Sequence, residues 1–147
     1  MLSQPKIVFS LDETSTTAAA TATARFDTLG YDQLSILVRA GTANVVSNKP
    51  TVLKLQEADT TDASNLANIS GFVGGTDFTI PNANTAATAT LQNDYQFNVD
   101  TRARKRYIVV SISPATTQLV KVVGVLTRGE AAPNTAGRAN VMTLVEG

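Results

Sequence analysis

The sequence predicts an all-β fold: a single antiparallel β-sandwich of jelly-roll-like build with extended N- and C-terminal arms. Three observations predict it. First, 43% of the residues are hydrophobic and only 16% are charged, so the polar surface is built from Thr, Ser, Asn and Gln. Thr favours the pleated surface of a sheet, whereas Lys and Glu populate exposed helices. Second, apolar and polar residues alternate with a period of two in several segments, as half-buried strands require. Third, no segment carries the 3.6-residue period of an amphipathic helix. At 147 residues the chain has the size of one domain with one core. The expected division is an N-terminal arm over 1–15, a sandwich over 16–127 and a C-terminal arm over 128–147.

Residues 6–11 follow Pro5 and form either a first strand or an extended arm, since proline excludes a helix running through it. Over 16–26, Thr21, Thr23 and Arg25 alternate with Ala20, Ala22, Ala24 and Phe26, a strand with a largely small-residue inner face. Gly30 supplies a positive φ to the loop that follows. Residues 33–39 put Leu34, Ile36 and Val38 on one face and Ser35, Leu37 and Arg39 on the other. At 51–57, Leu53 and Leu55 oppose Val52, Lys54 and Gln56, the pattern of a half-buried antiparallel sheet. Residues 58–68 read as a loop with one short helical turn near Asp62.

Gly74 and Gly75, between β-prone runs at 69–73 and 76–80, read as the tight turn of a hairpin. Residues 82–90 are low in complexity and suit an exposed loop or edge segment. Tyr95, Phe97 and Val99 point inward from 94–100, and 107–113 reads as a central strand with Ile108, Val110 and Ile112 on one face. At 118–127 both faces are largely apolar, with Val120, Val122, Gly124 and Leu126 opposed by Leu119, Lys121, Val123 and Val125. That strand is expected to be covered on both sides. Beyond Arg128 only Val141, Met142, Thr143, Leu144 and Val145 restore an apolar run, which has little core of its own to join. About eight short strands at regular spacing match a sandwich or jelly roll.

The chemistry-bearing residues exclude more than they propose. The chain has no His and no Cys, which removes serine-histidine and cysteine-histidine nucleophiles, thiolate metal sites and disulfides. Asp59, Asp62, Asp77 and Asp94 do not follow a calcium-loop spacing. The glycines between Gly71 and Gly75 lack the Gly-Lys-Ser/Thr ending of a phosphate loop. No enzymatic activity, cofactor, metal or small-molecule substrate is expected. Twelve basic and twelve acidic residues cancel, so no global field invites nucleic acid. The apolar run after Lys6 is too short for a secretory signal, and no run approaches a membrane span. A soluble chain made in the cytoplasm, with no membrane partner, is the expectation.

One charge cluster stands out. Arg102, Arg104, Lys105 and Arg106 form a basic run at the entrance of the strand over 107–113. An extended backbone points the three arginines one way. A carboxylate-rich protein partner, phosphate, or a solvated strand end paired to Asp100 or Asp27 each explains the run, and the neutral chain favours a protein contact. Candidate interface residues are therefore Arg102, Arg104, Lys105 and Arg106, with Ile7 and Phe9 of the N-terminal arm and Val141, Met142, Leu144 and Val145 of the C-terminal arm.

The order of features resembles a known family. A strand leading to Phe26-Asp27-Thr28-Leu29-Gly30-Tyr31 is followed by the strand over 34–38, which ends at Gly41-Thr42. Next come Leu53-Lys54-Leu55-Gln56-Glu57-Ala58-Asp59 and then Arg104-Lys105-Arg106-Tyr107, which opens a Val/Ile strand. Across 16–128 this is similar to small phage virion proteins of the head-decoration, or capsid-cement, kind. The resemblance implies a sandwich that trimerises and binds the major capsid protein on the exterior of a phage head. A glycan- or receptor-binding sandwich of a virion appendage is the alternative.

Overall fold

The structure, a computed structural model, describes residues 5–41, 49–81 and 92–129. Eight strands account for most of them: β1 (Lys6–Thr16), β2 (Ala22–Asp27), β3 (Tyr31–Ala40), β4 (Val52–Ala58), β5 (Ala67–Val73), β6 (Asn93–Asp100), β7 (Tyr107–Ser113) and β8 (Gln118–Gly129). One 3-10 turn, Ala63–Asn65, precedes β5. No helix among the described residues is long and apolar enough to cross a membrane.

The strands form two four-stranded antiparallel sheets in the orders β1-β8-β3-β6 and β2-β7-β4-β5. β1 pairs with β8, β2 with β7, β3 with β6 and β4 with β5. The chain is thus one long antiparallel ribbon folded at its middle and wound so that successive pairs alternate between sheets. That is a jelly roll, as the alternating segments predict.

The inner faces follow from strand parity. β3 contributes Leu34, Ile36 and Val38, β8 contributes Val120, Val122 and Leu126, and β6 contributes Tyr95, Phe97 and Val99. Across the sandwich lie Ala24 and Phe26 of β2, Ile108, Val110 and Ile112 of β7, Leu53 and Leu55 of β4 and Ile69 of β5. At Gly124 the ring of Phe26, from the opposite sheet, packs directly on the backbone of β8. A Cβ added there would lie 2.7 Å from Cδ1 of Phe26 and 3.1 Å from Cδ1 of Leu34. The bare backbone of β8 is therefore the seat of the Phe26 ring.

The structure corrects the sequence reading in three places. Residues from Lys6 onward are not a detached N-terminal arm. They pair with β8 from Lys6↔Leu126 to Thr16↔Gln118. Register shifts between Phe9 and Leu11 and between Leu11 and Thr14 break the period of two, so that Val8 and Leu11 both pack on the core. Such bulges hide a strand from periodicity. The hairpin over 69–80 is not formed. The Asp77 carboxylate instead accepts the backbone N–H groups of Gly71 and Val73 at 2.8 and 3.0 Å, and the turned chain sends Phe78 and Ile80 inward, with Phe78 beside Phe97. Finally, the strand expected over 16–26 begins at Ala22, after a turn in which Ala19 adopts a φ of 61°. The C-terminal residues 130–147, including Val141, Met142, Leu144 and Val145, and the segment 82–91 lie outside the described residues.

Ser10 sits in the first bulge and does a second job. Its Oγ accepts the N–H of Arg25 at 2.8 Å and donates to the carbonyl of Arg25 at 3.2 Å. Arg25 belongs to β2, the edge of the opposite sheet, so one hydroxyl satisfies two edge groups that have no strand beside them.

Gly124→Ala is expected to lower stability by about 1–3 kcal/mol through overpacking against the Phe26 ring, with partial recovery when combined with Phe26→Leu. Urea unfolding of the single and double variants checks this. Ser10→Ala is expected to cost about 1–2 kcal/mol by leaving both Arg25 backbone groups unpaired, read by the same measurement.

Candidate functional site

The basic run lies in the connection between β6 and β7, and it is a turn rather than an extended entrance. The Arg104 N–H donates to the carbonyl of Thr101 at 3.1 Å, which curls the chain. The arginines therefore do not form one row. Arg102 folds back on Asp100, donating from Nε at 2.9 Å. Arg106 grips Asp27 with two parallel bonds of 2.9 and 2.7 Å and lies 5.0 Å from the Tyr107 ring centroid. Lys105 pairs with Asp59 at 3.1 Å, and its backbone N–H donates to Glu57. Of the four basic side chains, only Arg104 has no ion pair among the described residues.

These pairs show in the acids. The Arg102 guanidinium beside Asp100 pulls its carboxyl down to about 2, and the Arg106 bond likewise lowers Asp27. Two of the carboxylates that fail the calcium-loop spacing have structural tasks. Asp62 accepts the Ser64 N–H at 2.9 Å to cap the 3-10 turn, and Asp94 forms a two-bond pair with Arg39 at 2.7 and 2.9 Å.

The more informative surface is the outer face of the β1-β8-β3-β6 sheet. β8 is expected from its sequence to be covered on both faces, and among the described residues no element lies on its outer face. Register places Phe9, Val123 and Leu37 in one cross-strand row and Ile7, Val125 and Ser35 in the next. Phe9 is 58%, Leu119 51%, Leu37 45% and Ile7 37% exposed. The β6 side is polar, with Ser35 donating to Asn98 at 2.8 Å and accepting from Gln96 at 3.3 Å. A row of charges crosses the face: Asp12 pairs with Lys121 at 2.9 Å, Lys121 is the register partner of Arg39, and Arg39 pairs with Asp94.

Where this row meets the start of β8 the face sinks into a groove of about 430 Å³, floored by Leu37, Leu119 and Val123 and edged by Arg39, Lys121, Ser15 and Gln118. Gln118 is 4% exposed. Its amide nitrogen donates to the Gly41 carbonyl at 2.7 Å, while its Oε1 has no hydrogen-bond partner among the described residues. A buried acceptor left unpaired costs free energy until a donor reaches it. The structure thus brings Ile7 and Phe9 into one apolar face with Leu37, Val123 and Val125. Leu37, Leu119, Lys121 and Gln118 are the site residues that the sequence reading missed. The signals were present: Leu37 is an apolar residue on the polar face of its strand, and 118–127 is apolar on both sides.

No family model matches the chain, and no curated protein matches it in sequence. Among solved structures it is similar to part of dimeric latent PorU from Porphyromonas gingivalis, at 11% identity and a TM-score of 0.46, over 88% of this chain and 13% of that one. It is also similar to part of a family GH115 4-O-methyl-alpha-glucuronidase, at 11% identity and a TM-score of 0.37, over 86% of this chain and 16% of that one. Neither likeness carries an activity to this chain.

Because Asp100 and Asp27 titrate below the ordinary carboxylate value of about 3.9, their pairs stabilise the fold fully above that value. Protons then favour the unfolded chain, and the contribution is lost as pH falls through the folded values, about 2 for Asp100. Thermal melts between neutral and strongly acid pH should show a decline that begins near pH 4. That decline should be shallower in an Arg102→Ala, Arg106→Ala double variant.

Proposed function

We propose that the chain is a non-catalytic structural protein of a phage virion, bound to the capsid exterior, where it stabilises contacts between major capsid subunits. The observation that carries this reading is the open apolar face. Contiguous exposed apolar patches are often functional, and here the exposed Ile7, Phe9, Leu37 and Leu119 lie with the half-buried Val123 and Val125 on the adjacent strands β1, β8 and β3. Leaving them in water is costly, and covering them in an assembly removes the cost. The family resemblance of the Phe26–Tyr31, Leu53–Asp59 and Arg104–Tyr107 segments supports the same reading.

The mechanism is linkage. A protein that binds the mature shell and not its precursor stabilises that shell by mass action. Several copies joined as a homo-oligomer, a trimer in this reading, hold on through multivalency. The major capsid protein and further copies of the chain are its partners. A glycan-binding role is the second reading considered, and the groove has no aromatic ring among its lining residues on which a sugar could stack.

Pelleting with purified phage heads tests the assignment. Phe9→Asp combined with Leu37→Asp is expected to weaken head binding by about tenfold or more without changing the melting temperature. Arg104→Glu should leave it unchanged. The reverse pattern would move the contact to the basic run, and a monomer that ignores heads and retains a sugar would sink the assignment.

A further inference from the structure

Each sheet has two edges, β1 and β6 in one and β2 and β5 in the other, and three of the four are interrupted. Two register shifts break the β1 edge. On the β2 edge Ser10 holds both backbone groups of Arg25, and on the β5 edge Asp77 takes the N–H groups of Gly71 and Val73. β6 is different. It runs beside β3 from Gln33↔Asp100 to Ala40↔Asn93 without a shift, and buried and exposed residues alternate along its whole length. A long, regular edge of this kind is a template for another strand.

Parity says which groups the edge offers. In an antiparallel ladder, residues bonded to one neighbour alternate with residues whose N–H and C=O point the other way. The Thr101 N–H donates to the Asp32 carbonyl at 2.9 Å, and register carries that alternation back along β6 through Val99, Phe97 and Tyr95. On the far side of β3 the Gly41 N–H donates to the Leu119 carbonyl at 2.7 Å, which gives β3 the same alternation. The backbone groups of Asp94, Gln96 and Asn98 therefore point off the edge, and among the described residues nothing is bonded to them.

β6 is its own complement. About a two-fold axis at Gln96, an antiparallel second copy sets Gln96 opposite the partner's Gln96 and Asp94 opposite the partner's Asn98, so the three outward residues bond the same three of the partner. The side chains agree with this register. Asp94 and Asp100 carry the charge of the edge, and Arg39 and Arg102 neutralise it. Asn98 accepts at Oδ1 from Ser35 and Gln96, which leaves its Nδ2 to donate to the partner's Asp94. An axis at Phe97 would set Asp94 against the partner's Asp100, like charges directly opposite. An axis at Asn98 would set Gln96 against the partner's Asp100, although the Gln96 amide nitrogen already donates to Ser35 and Asn98. Phe72 and Phe78, half-buried, pack on Phe97 between the β6 and β5 edges, and a second copy across the axis covers that flank as well.

We propose that β6 pairs with β6 of a second copy of this chain, joining their two β1-β8-β3-β6 sheets into one continuous sheet. The contact is isologous and closes on itself. The β1 edges, outermost in the joined sheet, are bulged and end its growth. The contact is separate from the open apolar face, so pairs form whether or not that face meets a capsid or further copies.

The test places a single cysteine in the full chain, which has no Cys of its own. In the proposed register the two Gln96 Cα atoms lie about 5.5 Å apart, within disulfide reach, whereas the two Asn98 Cα atoms are roughly 13 Å apart along the strands. Under a mild oxidant, Gln96→Cys is expected to give a covalent dimer on a non-reducing gel and Asn98→Cys almost none. Sedimentation of the unmodified chain should show pairing that grows with concentration. Gln96→Lys, which sets like charges on the axis, should weaken it by about tenfold or more. Gln96→Pro removes an N–H that β3 does not use and should do the same. Phe9→Asp combined with Leu37→Asp should leave pairing unchanged. A chain monomeric at every concentration, pairing indifferent to both changes at Gln96, or crosslinking through position 98 rather than 96 overturns the proposal. A monomer that binds phage heads and loses them on Gln96→Lys would give the edge to an extended segment of the capsid protein, which also overturns it.

Discussion

The ladder between β1 and β8 is the constraint on which the rest of the molecule depends. Its partners, from Lys6↔Leu126 to Thr16↔Gln118, come from opposite ends of the described chain. Closing so long a loop costs only slightly more than closing a short one, because the entropy grows with the logarithm of length. What the ladder secures is disproportionate. It gives β8 a second neighbour, and it adds Val8 and Leu11 to the core. It also lays Ile7 and Phe9 beside Val125 and Val123, so that apolar residues contributed by β1 and β8 merge into one surface. The open face is a by-product of the same pairing that completes the sheet.

Much of this was legible in the residues, and what was not has identifiable reasons. The inner faces of β3 and β6 follow from alternation alone, because a period of two fixes which side chains share a face; in β8 both faces are largely apolar, and alternation sorts the side chains without saying which set is inner. β1 hides behind its bulges. The turn at Gly74 and Gly75 deceives because its outcome depends on a carboxylate, Asp77, that binds two backbone N–H groups and so replaces the second strand of a hairpin. The basic run shows the limit most clearly. Arg102 finds its acid two residues away, Arg106 finds Asp27 at the end of the neighbouring strand β2 and Lys105 finds Asp59. Spacing within the run carries no information about Asp27 and Asp59, which are distant in sequence. Openness of the outer face is likewise a tertiary fact: an apolar residue at 119 or 123 reads the same whether or not something lies on it.

The charge distribution explains why the face matters more than the cluster. Zero net charge is realised as local pairs, so the basic run presents little uncompensated field. The row across the outer face is paired too: Lys121 and Arg39 stand on neighbouring strands at its centre, each turned to its own acid, Asp12 or Asp94, beside apolar side chains that lower the local dielectric and strengthen whatever reaches them. A jelly roll does not by itself say what a protein does. Function is argued from this one asymmetric patch.

Ser10 has a consequence for behaviour in a crowd. Free strand edges are templates for pairing with other chains, and sandwich proteins protect them by charge, bulges or covering. Here a hydroxyl in a bulge of one sheet occupies both backbone groups of Arg25 on the edge of the other. On that flank the molecule has sealed its own seam, and a neighbouring strand finds no unbroken row of donors and acceptors to extend. Copies packed at high local density can meet through side chains without being drawn into an endless sheet.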